Sequence, residues 1–210
     1  MLTKSDRARL GKVRGLIEPE EGEKLAEMAA AVPADQAIVE IGSYRGLSTC
    51  HIGAGSRGGN GAHVFAVDPW PAYAAPGMDP DEWGEEEVWS EHAALERFRA
   101  NIAALMLEPF VTPLRSTALV IAAVWTQPVG LFFHDADHAY EAVRDDYLAW
   151  LPFLAPGCWV AVHDFYGSTR IDNAWVRDGS MQTAVADHIL TSGEFTDVEI
   201  VGNLWIGRRA

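Results

Sequence analysis

The sequence predicts an α/β fold: a seven-stranded, mostly parallel sheet with helices on both faces and an antiparallel last strand. Three observations carry this expectation. Apolar runs at 37–41, 63–68, 129–134 and 158–163 are short and nearly continuous, as strands buried on both faces require. Helical segments lie between them, the alternation that builds a parallel sheet. The runs near 195–201 and 203–208 are joined by Gly202-Asn203, a hairpin signal that turns the final strand back.

Residues 19–31 read as a helix, with Pro19 near its start, acids in the first turn, and Leu25, Met28 and Ala29 on an apolar face. Strand 37–41 leads into helix 47–56, and Arg57-Gly58-Gly59-Asn60-Gly61 is an exposed turn before strand 63–68. Residues 69–90, rich in Pro, Trp and acid, have no helical period and read as a lid-like loop. Helix 91–106 carries Leu95, Phe98, Ile102 and Leu105 at helical spacing. A short strand near 110–114, helix 117–125 and strand 129–134 follow. Helix 138–151 shows Val143, Tyr147 and Leu151 on one face. After strand 158–163 a second lid-like loop spans 165–180, and helix 181–191 precedes the last two strands.

The 210 residues, 49% of them hydrophobic, suit one domain spanning 1–210 with a full-sized core. A formal net charge of −14 argues against nucleic acid or an anionic membrane as partner, since phosphate binding relies on basic residues. A small molecule is the expected partner, and a homo-oligomer stays open. No apolar segment follows Met1-Leu2-Thr3-Lys4-Ser5-Asp6, so a signal peptide is not expected and a cytoplasmic location is. The longest apolar run, 118–133, is broken by Thr126, Gln127, Pro128 and Gly130 and does not read as a membrane span. Cys50 and Cys158 have no CxxC partner and read as small buried hydrophobes in a reducing compartment.

The most informative stretch is Val39-Glu40-Ile41-Gly42-Ser43-Tyr44-Arg45-Gly46-Leu47-Ser48-Thr49. A buried strand ends beside a carboxylate, turns on glycine and enters a helix. Gly42 and Gly46 allow close backbone approach to a ligand, and the helix start offers free N–H groups. Strand 63–68 ends in Asp68, placed to accept from both hydroxyls of a ribose. The dinucleotide fingerprint G-x-G-x-x-G is absent; E-x-G-x-x-x-G stands in its place, and Glu40 would repel a pyrophosphate. A ligand with a ribose and a positive charge but no phosphates fits, and S-adenosylmethionine is such a ligand. On these residues the chain resembles the class I S-adenosylmethionine-dependent methyltransferases, which implies their Rossmann-like seven-stranded fold. The cofactor contacts expected are Glu40, Gly42, Ser43, Tyr44, Gly46, Ser48, Asp68, Ser116 and Asp135. Tyr44 has a packing alternative. Ser116 and Thr117 open a helix where the fold contacts adenine, or form an ordinary N-cap.

Strand 129–134 is followed by Asp135-Ala136-Asp137-His138-Ala139-Tyr140, and strand 158–163 by Asp164-Phe165. Parallel neighbours lie about 4.8 Å apart, so Asp135, His163 and Asp164 would share one crevice. Crowded carboxylates repel unless a cation or proton relieves them, and their oxygens favour a hard divalent ion such as Mg²⁺. His138, three residues after Asp135, is placed over the same crevice as a general base, with capping or packing as the alternative. Asp135-x-x-His138 with Tyr140, then Leu151-Pro152-x-Leu154-x-Pro156-Gly157 and His163-Asp164, narrows the resemblance to macrocin-type (macrolide sugar) O-methyltransferases. That similarity implies a histidine base, His138, and a divalent metal on Asp135 and Asp164. The subgroup commonly has an acid where this chain has His163, which is read as a possible third metal contact although histidine binds Mg²⁺ poorly. Cys158 stands where a second glycine is usual.

Other polar residues have duller readings. Asp137 is taken as an N-cap, Asp145 and Asp146 as a solvated helix face, and His134 as structural, pointing opposite to Asp135. Trp70, Tyr73, Trp83, Trp89 and Trp175 either stack on a ligand ring or pack their loops onto the sheet. Taken together, the expectation is O-methylation of a hydroxyl on a sugar or natural product. Metal-free N-methylation, a nicotinamide oxidoreductase and a non-catalytic cofactor-binding protein stand as the alternatives.

Overall fold

The structure is a computed structural model that describes residues 2–70, 93–166, 169–171, 174–176 and 179–210. Its helices are α1 (Lys4–Leu10), α2 (Pro19–Ala31), α3 (Leu47–Arg57), α4 (Ala93–Ala104), α5 (Ala118–Ala122), α6 (Tyr140–Trp150) and α7 (Ser180–Ala184). The main sheet contains β1 (Ala37–Ile41), β2 (Val64–Asp68), β3 (Val111–Arg115), β4 (Val129–His134), β5 (Leu154–Val162), β8 (Phe195–Val201) and β9 (Leu204–Arg209). A separate antiparallel pair, β6 (Thr169–Ile171) and β7 (Ala174–Val176), lies within the second predicted loop. The first predicted loop, with Tyr73, Trp83 and Trp89, falls almost wholly outside the described residues, as does the side chain of Trp175.

The sheet order is β3-β2-β1-β4-β5-β9-β8. Strands β1 to β5 pair in parallel, and β9 is antiparallel to both β5 and β8. The expected seven-stranded sheet with a reversed last strand is therefore observed. The chain winds outward from β1 in one direction and from β4 in the other, so the β1/β4 junction is the topological switch point where open α/β sheets bind ligands.

Alternation along the central strands feeds two cores. Ile38, Leu131 and Phe133 point to the face covered by α1 to α4, against Leu25, Met28, Ile52 and Phe98. Val39, Ile41 and Phe132 point to the other face, against Val143, Tyr147, Trp150 and Met181. The expected apolar face of α4 is buried throughout, with Leu95, Phe98, Ile102 and Leu105 each at most 7% exposed. In α6, Trp150 rather than Leu151 completes the buried stripe, because Leu151 opens a 3₁₀ turn at Pro152.

Local deviations have identifiable causes. β5 begins at Leu154, earlier than expected, because Pro156-Gly157 is absorbed as a register shift against β4. The helix after residue 179 changes from α7 to a π-helical turn over Val185–Ile189. Helix α1 was not anticipated, although Thr3 and Asp6 form a capping box, a signal visible in the sequence.

Candidate active site

At the end of β1 the backbone turns through Gly42 (φ 83°), Tyr44 (φ 44°) and Gly46 (φ 83°) into α3. A Cβ on Gly42 would lie 2.1 Å from the carbonyl oxygen of Asp135, and one on Gly46 would lie 2.8 Å from the Phe98 ring. Both glycines are thus required by the protein's own packing and by the left-handed backbone, rather than by ligand clearance alone. The Gly42 contact also binds the glycine turn to the start of the acidic segment after β4.

Asp68 is 1% exposed and fastens this turn. Its Oδ2 accepts from the backbone N–H of Ser43 (3.0 Å) and Tyr44 (2.8 Å), and its Oδ1 from that of Trp70 (2.6 Å). Trp70 donates through Nε1 to the Tyr44 carbonyl at 2.7 Å and packs edge-on to Phe98, fully buried. For Trp70 the packing alternative therefore holds. Ser116 donates its N–H to the Asp68 carbonyl at 3.2 Å. Thr117 occupies the N-cap of α5, yet its side chain makes no capping bond.

Glu40 is wholly buried beneath the turn. One carboxylate oxygen, Oε2, accepts from Ser43 Oγ at 2.8 Å and from Thr49 Oγ1, while Oε1 has no partner. Burial pushes its pKa up to about 7, against the pull of the nearby Ser48, Thr49 and Ser43 hydroxyls; nearby Asp135 adds to the rise. An orphaned buried oxygen beside a glycine turn fits the donor groups of a cationic cofactor.

The second half of the site is acidic. Ligand atoms of Asp135, His138 and Asp164 all lie within 4.8 Å of one another, and the three residues are half-buried. His138 Nε2 is 3.2 Å from Asp164 Oδ2. Asp164 is held at φ 50°, an uncommon backbone state for a non-glycine residue. Two carboxylates and an imidazole form a donor set able to hold a divalent ion.

His163 does not belong to this set, which corrects the sequence expectation. Its Nδ1 faces Asp135 Oδ1 at 3.1 Å and its Nε2 faces Glu21 Oε2 at 3.1 Å. Both ring nitrogens are committed to carboxylates, so neither offers a lone pair to a metal. Burial disfavours the charged ring, but Asp135, Asp164 and Glu21 outweigh it and raise the pKa to about 12. Of the two histidines, it is His138 that stands with the two acids.

Three further readings change or gain detail. Asp137 accepts from Ala139 N at 2.9 Å, forming a turn before α6, whose N-cap is Ala139 rather than Asp137. Asp146 is not a solvated residue; it meets buried His134 at 3.1 Å, confirming the structural role of His134. The buried cysteines Cys50 and Cys158 have thiol pKa values raised by burial, consistent with inert hydrophobes.

Two residues at the site were not foreseen. Glu21, in the first turn of α2, was visible only as a helix-dipole acid. Asn203, in the β8–β9 turn, was visible only as a hairpin residue. It donates from Nδ2 to Asp164 Oδ1 at 2.8 Å and from its backbone N–H to Glu21 Oε1 at 2.6 Å. Neither position carries a local motif for such long-range pairing.

An open parallel sheet with a glycine turn and an acid cluster at its switch point has the architecture of an α/β enzyme whose site lies at the strand ends. The chain belongs to a methyltransferase-domain family, whose model matches residues 39–165, and it is a methyltransferase. Solved structures share the fold. A protein from Corynebacterium glutamicum is 16% identical, with 100% of this chain and 92% of that one covered, at a TM-score of 0.67. The O-methyltransferase TomG from Streptomyces achromogenes, involved in tomaymycin synthesis and solved with S-adenosylmethionine, is 15% identical, with coverage of 100% and 91% and a TM-score of 0.65. An O-methyltransferase from Bacillus cereus, solved with S-adenosylhomocysteine, is 18% identical, with coverage of 100% and 93% and a TM-score of 0.63. Among the described residues, no helix is long and apolar enough to cross a membrane.

Proposed function

We propose that this protein is a cytoplasmic, S-adenosylmethionine-dependent O-methyltransferase that acts on a hydroxyl of a sugar or natural product with the help of a divalent metal, as macrocin-type enzymes do. The observation that carries this reading is the Asp135–His138–Asp164 cluster standing against the glycine turn at the sheet's switch point. TomG and the Bacillus cereus protein, both named O-methyltransferases, support the cofactor and the acceptor atom.

The sulfonium, when bound, supplies an already activated methyl group, so the protein's task is placement and proton removal. Glu40, Ser43, Tyr44, Ser48 and Ser116 hold the cofactor around the turn, and Asp68 takes the ribose while keeping the turn in shape. Asp135 and Asp164 would hold the metal, which lowers the pKa of a bound hydroxyl. Asp164 lies beside His138 Nε2 and orients its ring. With Nε2–H aimed at that carboxylate, the lone pair sits on Nδ1, the atom that receives the acceptor's proton. A nitrogen bound to metal cannot also act as a base, so Nδ1 must stay outside the metal's coordination.

The test is methyl transfer from labelled S-adenosylmethionine to catechols, sugars and polyphenols, with Mg²⁺ present and after chelation. Product methylated on oxygen, lost on chelation and restored by Mg²⁺, is the expected result. Metal-independent transfer to nitrogen would overturn both the acceptor and the metal assignments.

A further inference from the structure

The two acids of the site are each anchored at Oδ1, while Asp164 Oδ2 faces His138 Nε2 at 3.2 Å and His163 Nδ1 at 3.6 Å. Asp135 is held at Oδ1 by His163 Nδ1, 3.1 Å away. Asp164 is held at Oδ1 by Asn203 Nδ2, 2.8 Å away. Both anchors lead back to a single carboxylate. Glu21 Oε2 meets His163 Nε2 at 3.1 Å, and Glu21 Oε1 accepts from the backbone N–H of Asn203 at 2.6 Å. Glu21 is 1% exposed, and its carboxyl is held below its usual range: burial raises it, but the bonds from His163, Asn203 and Glu18 outweigh that. Gly202 lets the hairpin approach this closely, since a Cβ there would fall 2.6 Å from Glu21 Oε1.

We propose that Glu21 is a positioning residue for the methyl-transfer site, setting Asp135 through His163 and Asp164 through Asn203. It lies outside the matched family segment of 39–165. Its Oε2 also accepts from the Glu18 backbone N–H at 2.7 Å, which caps α2; beyond that bond, its two oxygens divide between the two arms that reach the two acids. The inference rests on the reading that Asp135 and Asp164 hold a metal.

The experiment is Mn²⁺ titration of the full chain, followed by electron paramagnetic resonance, for the parent, Glu21→Gln, His163→Ala, Asn203→Ala and the double variant Glu21→Gln/His163→Ala. Removing an outer support of a metal ligand typically costs about 10- to 100-fold in affinity. Glu21→Gln should weaken Mn²⁺ by about that factor, while S-adenosylhomocysteine affinity, measured on the same samples, stays within about twofold and certifies the fold. Groups that act in series are not additive. On a His163→Ala background the glutamate change should therefore lose most of its effect, keeping only what passes through Asn203. Should Glu21→Gln not fold, Glu21→Asp, which keeps the charge on a shorter stem, enters the same cycle with the same expectation. Unchanged Mn²⁺ affinity in the Glu21 variant, or fully additive effects in the double variant, overturns the proposal alone. A parent protein that takes up no Mn²⁺ overturns the metal reading and this proposal with it.

Discussion

Glu40 offers the sharpest quantitative test of the cofactor assignment. Its carboxyl is held up to about 7 instead of 4.5, so burial disfavours its charged form by about 3 kcal/mol. If the cofactor places a positive group against the orphaned Oε1, it binds the ionised form. The free protein keeps the proton up to about pH 7, so binding must release it at lower pH. Affinity should then rise about tenfold per pH unit between about 5.5 and 7 and level off above. Folding without ligand should show the opposite slope. Unfolded Glu40 ionises near 4.5 and the native residue near 7, so stability falls across that window as pH rises. Isothermal titration of S-adenosylmethionine and S-adenosylhomocysteine, in buffers of different ionisation heat, reads both affinity and protons released. Near pH 6 about one proton should leave on binding. Comparing the two ligands separates an amino-group contact, which both make, from a sulfonium contact, which only the first makes. Glu40→Gln should bind more weakly and without the pH slope. A dissociation constant that stays flat from pH 5.5 to 7.5, or a slope that survives in Glu40→Gln, refutes the pairing.

The remaining predictions concern the turn and the acids. His138→Ala should lower turnover by about 100- to 10,000-fold with S-adenosylmethionine affinity nearly unchanged; near-normal turnover in a steady-state assay would place the base elsewhere. Asp135→Asn should abolish Mg²⁺ dependence together with most activity, and a crystal soaked in Mn²⁺ that shows no density between Asp135 and Asp164 would sink the metal assignment. Gly42→Ala combines a left-handed backbone with a Cβ 2.1 Å from the Asp135 carbonyl, so it should lose at least about 1–3 kcal/mol. At roughly 2–4 °C per kcal/mol for a chain of this size, calorimetry should show a melting point lower by several degrees; an unchanged melting point would mean that the turn relaxes freely.

The elements with strong local signals were legible in the sequence. β1 and β4 fall where continuous apolar runs placed them, and the glycine turn between Glu40 and Thr49 announced itself by composition. Asp135, His138 and Asp164 were placed at one crevice because parallel neighbours end side by side. That His163 is tied up between carboxylates, and so is no metal contact, was not legible. It depends on Glu21, which is 142 residues away from His163 in the chain and comes from a helix whose acids looked like ordinary dipole partners. Asp68 was read for its end-of-strand position, which is right, but its bonds to three backbone N–H groups depend on how the turn folds back over it. Local pattern reports which residues are apolar and where a strand stops; it does not report which distant carboxylate closes on which ring.

The reversal of β9 has a consequence for how the enzyme is made. Because β8 runs with the parallel strands and β9 against them, their connecting turn emerges at the edge where β1, β4 and β5 end. That delivers Asn203 to Glu21, a contact 182 residues apart in the chain. During synthesis the glycine turn and both acids are already made while residue 203 is still inside the ribosome. Until it emerges, Glu21 and Asp164 each lack the hydrogen bond that Asn203 donates. A nascent chain that has folded its early strands can therefore present the glycine turn well before its acids are set, and their support arrives only once residue 203 has left the ribosome.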